Sequence, residues 1–193
     1  MTNAGALKET VCRSIDEHRD RIIGVGEAIM DDPELGFKEH RTADKVQEVF
    51  TDLGLEFDSG LGLTGVKAVL RGGRPGPTVA LMGELDALQV PGHPRANPDT
   101  QAAHACGHNA QIAGLMGAAV GLQNAGIAEE LAGNVVFLAV PAEEYVEIDY
   151  RLGLVREGKT SFLCGKQELI KLGHFDDVDM AVMIHTKSPA RED

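Results

Sequence analysis

Three short apolar runs, at residues 78–82, 134–140 and 178–184, each give way to a side chain that can bind a metal or move a proton. Glu84 and Asp86 follow the first. Glu143 and Glu144 follow the second, after Pro141. His185 closes the third. Runs this short and this apolar suit strands covered on both faces, the usual state of a parallel sheet. In an α/β sheet, ligands bind in the crevice at the carboxyl ends of the strands. If the three strands run parallel, all these groups emerge along one edge. The pattern therefore predicts an α/β fold with a chemically loaded edge.

A further piece lies between the first two strands. His104-Ala105-Cys106-Gly107-His108-Asn109 sets a thiol and an imidazole two positions apart, just ahead of a helix over 110–125. Asn109 is placed as its N-cap. Ile112, Leu115, Met116, Ala119, Val120 and Gln123 trace one face of that helix. Gly114, Gly117 or Ala118, and Gly121 make a second face of small residues, expected to lie hard against the sheet. Upstream, residues 4–31 read as one amphipathic helix, weakened by Gly24 and Gly26 and ended by Asp31-Asp32-Pro33. Residues 39–53 read as a second helix, stopped by Gly54. Residues 65–71 alternate like a strand with one wet face, and 72–77 form a tight turn. Residues 89–103 are a loop, 145–165 show no clean period, 165–172 form a short helix and 188–193 a tail.

Thiolate, imidazole and carboxylate together suit Zn²⁺ or another divalent transition metal. Adjacent glutamates divide the work, since only one can point straight at an ion in the crevice while the other holds a water beside it. A metal acidifies bound water, and a nearby carboxylate can take the proton. Alone, each piece has a plainer reading: a buried Cys beside an incidental His, solvated loop charges, a hydrogen-bonded His at a strand end. Their order along the chain joins Cys106, His108, a Glu and His185 into one expected site. Cys12 and Cys164 are expected to be structural.

Composition narrows the partners. The formal net charge is −12, which argues against nucleic acid or an anionic membrane. Trp is absent and aromatics are 4%, too few for a base-stacking platform. Three widely spaced cysteines do not form a disulfide framework and favour a reducing cytoplasm. The first residues lack the basic start and apolar run of a signal peptide, and no stretch reads as a membrane span.

Several segments resemble the M20 metallopeptidase family, in its amidohydrolase/aminoacylase branch: Glu84-Leu-Asp86-Ala-Leu88, His104-Ala-Cys-Gly-His108, Leu115-Met-Gly-Ala-Ala119, Pro141-Ala-Glu-Glu144, and Gly173-His-Phe-Asp-Asp-Val-Asp179 leading to His185. The resemblance runs in order along the chain. It implies a three-layer α/β/α catalytic domain with a mixed, largely parallel sheet. It implies a pair of Zn²⁺ or Mn²⁺ ions with a bridging water. Cys106 and His108 would be ligands, with Cys106 the bridge, and Glu144 and His185 would be ligands too. Glu143 would be the general base and Asp86 would steer a ligand from behind. The implied reaction is hydrolysis of an amide bond in an N-acyl amino acid, an aminobenzoyl-glutamate-like compound or a small peptide.

Family chains are roughly twice this long. Residues 1–193 would be the N-terminal portion of the catalytic domain, without the lid or dimerisation domain and without the returning part that supplies a further His. The full-length form would be a homodimer. The chain departs from the family pattern at Asn109, at Gln111, at Glu84 (where Asp is common), and in a longer segment from Tyr145 to Cys164. Two other readings stay open. One is an ion-binding domain without catalysis. The other is a thiol enzyme pairing Cys106 with His104 or His108.

Overall fold

Helices α1 (Ala4–Glu17), α2 (Arg19–Met30) and α3 (His40–Asp52) lead into strands β1 (Phe57–Leu61), β2 (Gly65–Arg71) and β3 (Arg74–Glu84). A loop carrying the short antiparallel pair β4 (Leu88–Gln89) and β5 (Ala102–Ala103) precedes α4 (His108–Asn124). Then come β6 (Ala132–Val140), α5 (Ile148–Arg156), α6 (Gly165–Lys171) and β7 (Met180–Met183). This computed structural model describes residues 4–187; the expected tail at 188–193 lies outside them.

The main sheet has the order β1-β2-β6-β3-β7. β6, β3 and β7 are mutually parallel, and β1 and β2 are added antiparallel at one side. Successive side chains of a strand point to opposite faces, and β6 shows what that does here. Phe137 and Ala139 join a core with Val46, Phe50, Ile112 and Met116, from α3 and α4. Val136, Leu138 and Val140 join a second core with Ala80 and Leu169, the latter from α6. Helices therefore cover both faces of the central strands, and the fold is α/β with a mixed sheet. The three parallel strands all point their carboxyl ends to one edge, where Glu84, Pro141 and Ile184 leave the sheet. None of the helices among the described residues is long and apolar enough to cross a membrane.

Several local expectations are corrected. The helix expected over 4–31 is two, parted at His18, where the backbone N–H closes back on Ile15 O three residues earlier. The small-residue face of α4 meets α1 and α2 rather than the sheet. A Cβ on Gly121 would stand 2.6 Å from Ile15, and one on Gly117 3.3 Å from Ile22. The sheet is met instead by the larger side chains, with Ile112 and Leu115 over Gly83. The turn expected at 72–77 is mostly strand. β3 begins at Arg74, and its register shifts between Arg74 and Thr78, an irregularity that accommodates the missing N–H of Pro75 and Pro77. The period-free segment contains α5. The run at 178–184 forms a strand but not a buried one. All four β7 residues are exposed, because β7 is an edge strand and no helix among the described residues covers it. Cys164 is buried, as a structural residue should be, whereas Cys12 is exposed on α1.

Candidate metal centre

The turn after β3 organises the cluster. Asp86 is fully buried, and its backbone carbonyl accepts a hydrogen bond from His108 Nδ1 at 2.8 Å. Its carboxylate accepts one from the backbone N–H of Glu144, also at 2.8 Å. One residue therefore orients both an imidazole and the Glu pair. With Nδ1 taken, His108 has only Nε2 to offer an ion, the arrangement typical of a metal-bound histidine.

Gly107 makes the approach possible. Its φ is 92°, in the region that favours glycine, and a Cβ there would strike the Thr186 side chain. Gly107 is thereby the residue that caps α4. Asn109, expected as the cap, sits inside the first turn and donates to Gly26 O of α2 at 3.2 Å. The same close approach lets the Thr186 hydroxyl donate to Cys106 O, which brings His185 Nε2 to 3.3 Å from Cys106 Sγ. The rings of His185 and His108 meet edge to face at 5.5 Å.

The Glu pair is held from behind. Ala142 has a φ of 49°, a conformation that costs a non-glycine residue ~1 kcal/mol. Three contacts fix it. The buried Glu39 carboxylate accepts its N–H at 2.7 Å, while its carbonyl accepts from Arg151 Nη1 at 3.2 Å and from the Gly165 N–H at 3.1 Å. Arg151 is wholly buried and also donates to Leu163 O at 2.7 Å.

Two overlapping sets of donor atoms result. Cys106, His108 and His185 form one, and Glu84, His108 and Glu143 the other; within each, the atoms lie within 4.8 Å of one another. Glu144 Oε1 stands 3.9 Å from His108 Nε2. Glu144 Oε1 is a buried atom with no hydrogen-bond partner, and the buried His108 Nε2 and Glu84 Oε2 face each other at 2.9 Å. Buried polar atoms without partners are costly, and a cation among these oxygens, the sulfur and the imidazoles satisfies them together. The residues present thus fit a divalent ion.

Proton affinities reflect the crowding. Burial alone would lower the His108 pKa, but the Asp86 and Glu84 oxygens raise it to about 10. Burial works to raise Glu84, yet His108 and Lys166 outweigh it and hold the carboxyl at about 2. Burial and the Glu84 charge push Glu143 up. Burial, a hydrogen bond to Glu144 and the nearby carboxylates push the Cys106 thiol up to about 12. A thiol so placed is protonated at neutral pH. It faces His185 rather than His104 or His108, and His104 is buried with both nitrogens unpartnered, its pKa held by burial down to about 4. That arrangement does not pair the thiol with His104 or His108 and so counts against the thiol-enzyme reading built on those two.

All six residues singled out from sequence, Asp86, Cys106, His108, Glu143, Glu144 and His185, come to this one edge. Sequence reasoning missed Glu39, Arg151 and Lys166. Lys166 Nζ contacts Glu84 Oε1 and lies 3.8 Å from Glu143 Oε1. No local pattern marks these three; Glu39 and Lys166 meet partners distant in the chain, and Arg151 lies in the segment without a clean period.

Residues 80–193 match the family model described as peptidase family M20/M25/M40. The chain belongs to that family. Among M20 relatives, it is 33% identical over 191 residues to thermostable carboxypeptidase 2 of Saccharolobus solfataricus, covering 94% of this chain and 43% of that protein. It is 30% identical over 185 residues to the N-acyl-L-amino acid amidohydrolase of Geobacillus stearothermophilus, covering 94% of this chain and 45% of that one. Among M20 structures, it superposes with a TM-score of 0.71 on the Bacillus subtilis YXEP protein, described as a dinuclear metal-binding peptidase, at 27% identity over 89% of this chain and 44% of that one. The chain spans less than half the length of these relatives.

Proposed function

We propose that this chain carries the N-terminal portion of a metal-dependent amide hydrolase acting on N-acyl amino acids, aminobenzoyl-glutamate-like compounds or small peptides. The observation that carries the reading is the convergence of the buried His108 Nε2 and the buried, unpartnered Glu144 Oε1 with Cys106 and His185 at one edge of the sheet. Cys106, His108, Glu144 and His185 would hold the metal, as a pair of Zn²⁺ or Mn²⁺ ions. When bound, such ions polarise an amide carbonyl and acidify water.

The chain's own residues account for the proton. Glu143 reaches the cleft from the fixed turn at Ala142, with its carboxyl pushed up by burial and the Glu84 charge. A carboxylate raised from its usual range is a better base for water near neutral pH. It takes a proton as water adds to the amide carbon, then returns it to the nitrogen as the C–N bond breaks. Asp86 keeps His108 and Glu144 in place throughout.

The test is hydrolysis of an N-acetyl amino acid panel by the metal-loaded chain beside Glu143→Gln. The expected result is activity in the parent, and loss of at least ~100-fold in the variant with its metal content unchanged. Equal rates in the two chains would remove Glu143 as base. A loaded parent that cleaves nothing would leave an ion-binding domain without catalysis.

A further inference from the structure

We infer that Lys166 decides which of two overlapping ligand sets an ion takes, keeping it with Cys106 and His185 rather than with Glu84 and Glu143. The inference rests on the reading of the strand-end cluster as an ion site and deepens it.

The two sets share only His108. Its Nδ1 is committed to the Asp86 carbonyl, so Nε2 alone remains, and its one lone pair serves one ion. The sets are therefore alternatives for the ion that His108 holds. On spacing, the oxygen-rich set is well formed. Glu84 Oε2 stands 2.9 Å from His108 Nε2, close to the separation of two neighbouring ligands around one small ion, and both side chains are buried. Left to these atoms, an ion has good reason to sit between Glu84, His108 and Glu143.

Lys166 changes that balance. Its ammonium already lies between the two carboxylates, in contact with Glu84 Oε1 and 3.8 Å from Glu143 Oε1. A divalent ion in this set would lie beside a fixed positive charge, with a carboxylate already neutralised by it. Like charges this close in a mostly buried site repel strongly. The Cys106, His108 and His185 set includes neither of the carboxylates that Lys166 pairs with.

The lysine is placed there by backbone packing. Gly165 opens α6 against the Glu-pair turn, where a Cβ would stand 1.9 Å from Pro141 O, and its N–H is bonded to Ala142 O. The contact that fixes the aim of Glu143 thus also delivers the ammonium.

The experiment is titration of the ion-free chain with Co²⁺. It reads affinity together with the thiolate-to-cobalt charge-transfer absorption, which reports whether Cys106 is a ligand. Wild type and Lys166→Arg are expected to show the thiolate band at saturation. Lys166→Met is expected to bind Co²⁺ with that band reduced by at least about half as the ion moves to the oxygen set. Cys106→Ser should weaken binding about tenfold or more in the wild-type background and far less in the Lys166→Met background. A full-strength band in Lys166→Met, Co²⁺ bound by wild type without a thiolate band, or a folded Lys166→Met that binds no Co²⁺ would each overturn the inference. Should Lys166→Met not fold, Glu84→Gln asks the same question. An unchanged band is expected there, and a diminished one would show that the ion depends on the carboxylate. A wild-type chain that binds no Co²⁺ at all would instead overturn the ion-site reading on which the inference stands.

Discussion

The two walls of this cleft are built in opposite ways. The wall behind Glu143 and Glu144 is buried and cross-tied, with Glu39, Arg151 and Gly165 all fixing Ala142 and with Asp86 fixing Glu144. The wall carrying Cys106 and His185 is open. His185 is exposed, tied to the rest by its 3.3 Å contact with Cys106 Sγ, its edge-to-face contact with His108 and the neighbouring Thr186 hydroxyl on Cys106 O. The difference follows from charge. Neighbouring carboxylates repel, so holding Glu84, Asp86, Glu143 and Glu144 at one edge requires a rigid frame and counter-charges. A protonated thiol and a histidine carry no such repulsion, and that wall can close on an ion as it binds.

The largest effect on stability should come from breaking the rigid wall. Arg151→Met removes two backbone tethers, to Ala142 O and Leu163 O, and leaves Asp86 without its buried arginine counter-charge, 3.8 Å away. A loss of ~3 kcal/mol or more is expected in urea unfolding. A change below ~1 kcal/mol would mean the wall is not held as described.

Glu39 gives the next effect, and it depends on pH. Burial and the Asp86 charge raise its carboxyl from 4.5 to about 8, against the hydrogen bonds from Thr64 and Ala142. Below pH 4.5 the group is protonated in both folded and unfolded chains and makes no difference. Between 4.5 and about 8 the unfolded chain ionises first, so stability falls as pH rises; above that the loss is complete. Glu39→Gln mimics the protonated acid. Unfolding midpoints across this window should fall more steeply in wild type, the gap growing by on the order of a few kcal/mol. Parallel curves would mean that Glu39 is not the source of the slope.

Smaller still is Ala142→Gly. Relief of the left-handed φ roughly offsets the greater freedom of glycine in the unfolded chain, so stability should move by under ~1 kcal/mol. Hydrolysis should nevertheless fall, because glycine keeps the backbone contacts but widens the conformations open to the turn that aims Glu143. Unaltered rates would separate catalysis from the rigidity of this turn.

His185→Ala, on the open wall, should shift the unfolding midpoint least, by under ~0.5 kcal/mol. It should still weaken ion binding by at least about tenfold in a chelator competition. A large loss of stability would show that this wall is as tightly built as the other.

The same contrast explains what the sequence could show. The apolar runs that become β3 and β6, and the ligand-bearing residues at their ends, are local patterns and were readable. So was Cys106-Gly107-His108, because thiol and imidazole lie two positions apart. Arg151, Glu39 and Lys166 were not readable. Glu39 meets Ala142 across 103 positions and Lys166 meets Glu84 across 82, so nothing near either residue announces its partner. β7 misled in the other direction. Its apolar run promises cover on both faces, but burial depends on what packs against a strand and not on the strand's composition. β1 escaped notice because Phe57-Asp58-Ser59-Gly60-Leu61 has no alternation to read; its pairing with β2 makes it a strand.

The most direct test is the ion-to-chain ratio by elemental mass spectrometry, after loading with Zn²⁺ or Mn²⁺ and desalting. Wild type should be measured beside a Cys106→Ser, His185→Ala double variant. The expected result is at least one ion per wild-type chain and its loss from a variant that still folds. A wild-type chain that retains no ion, or a double variant that retains as much, would contradict the placing of a metal centre at this sheet edge.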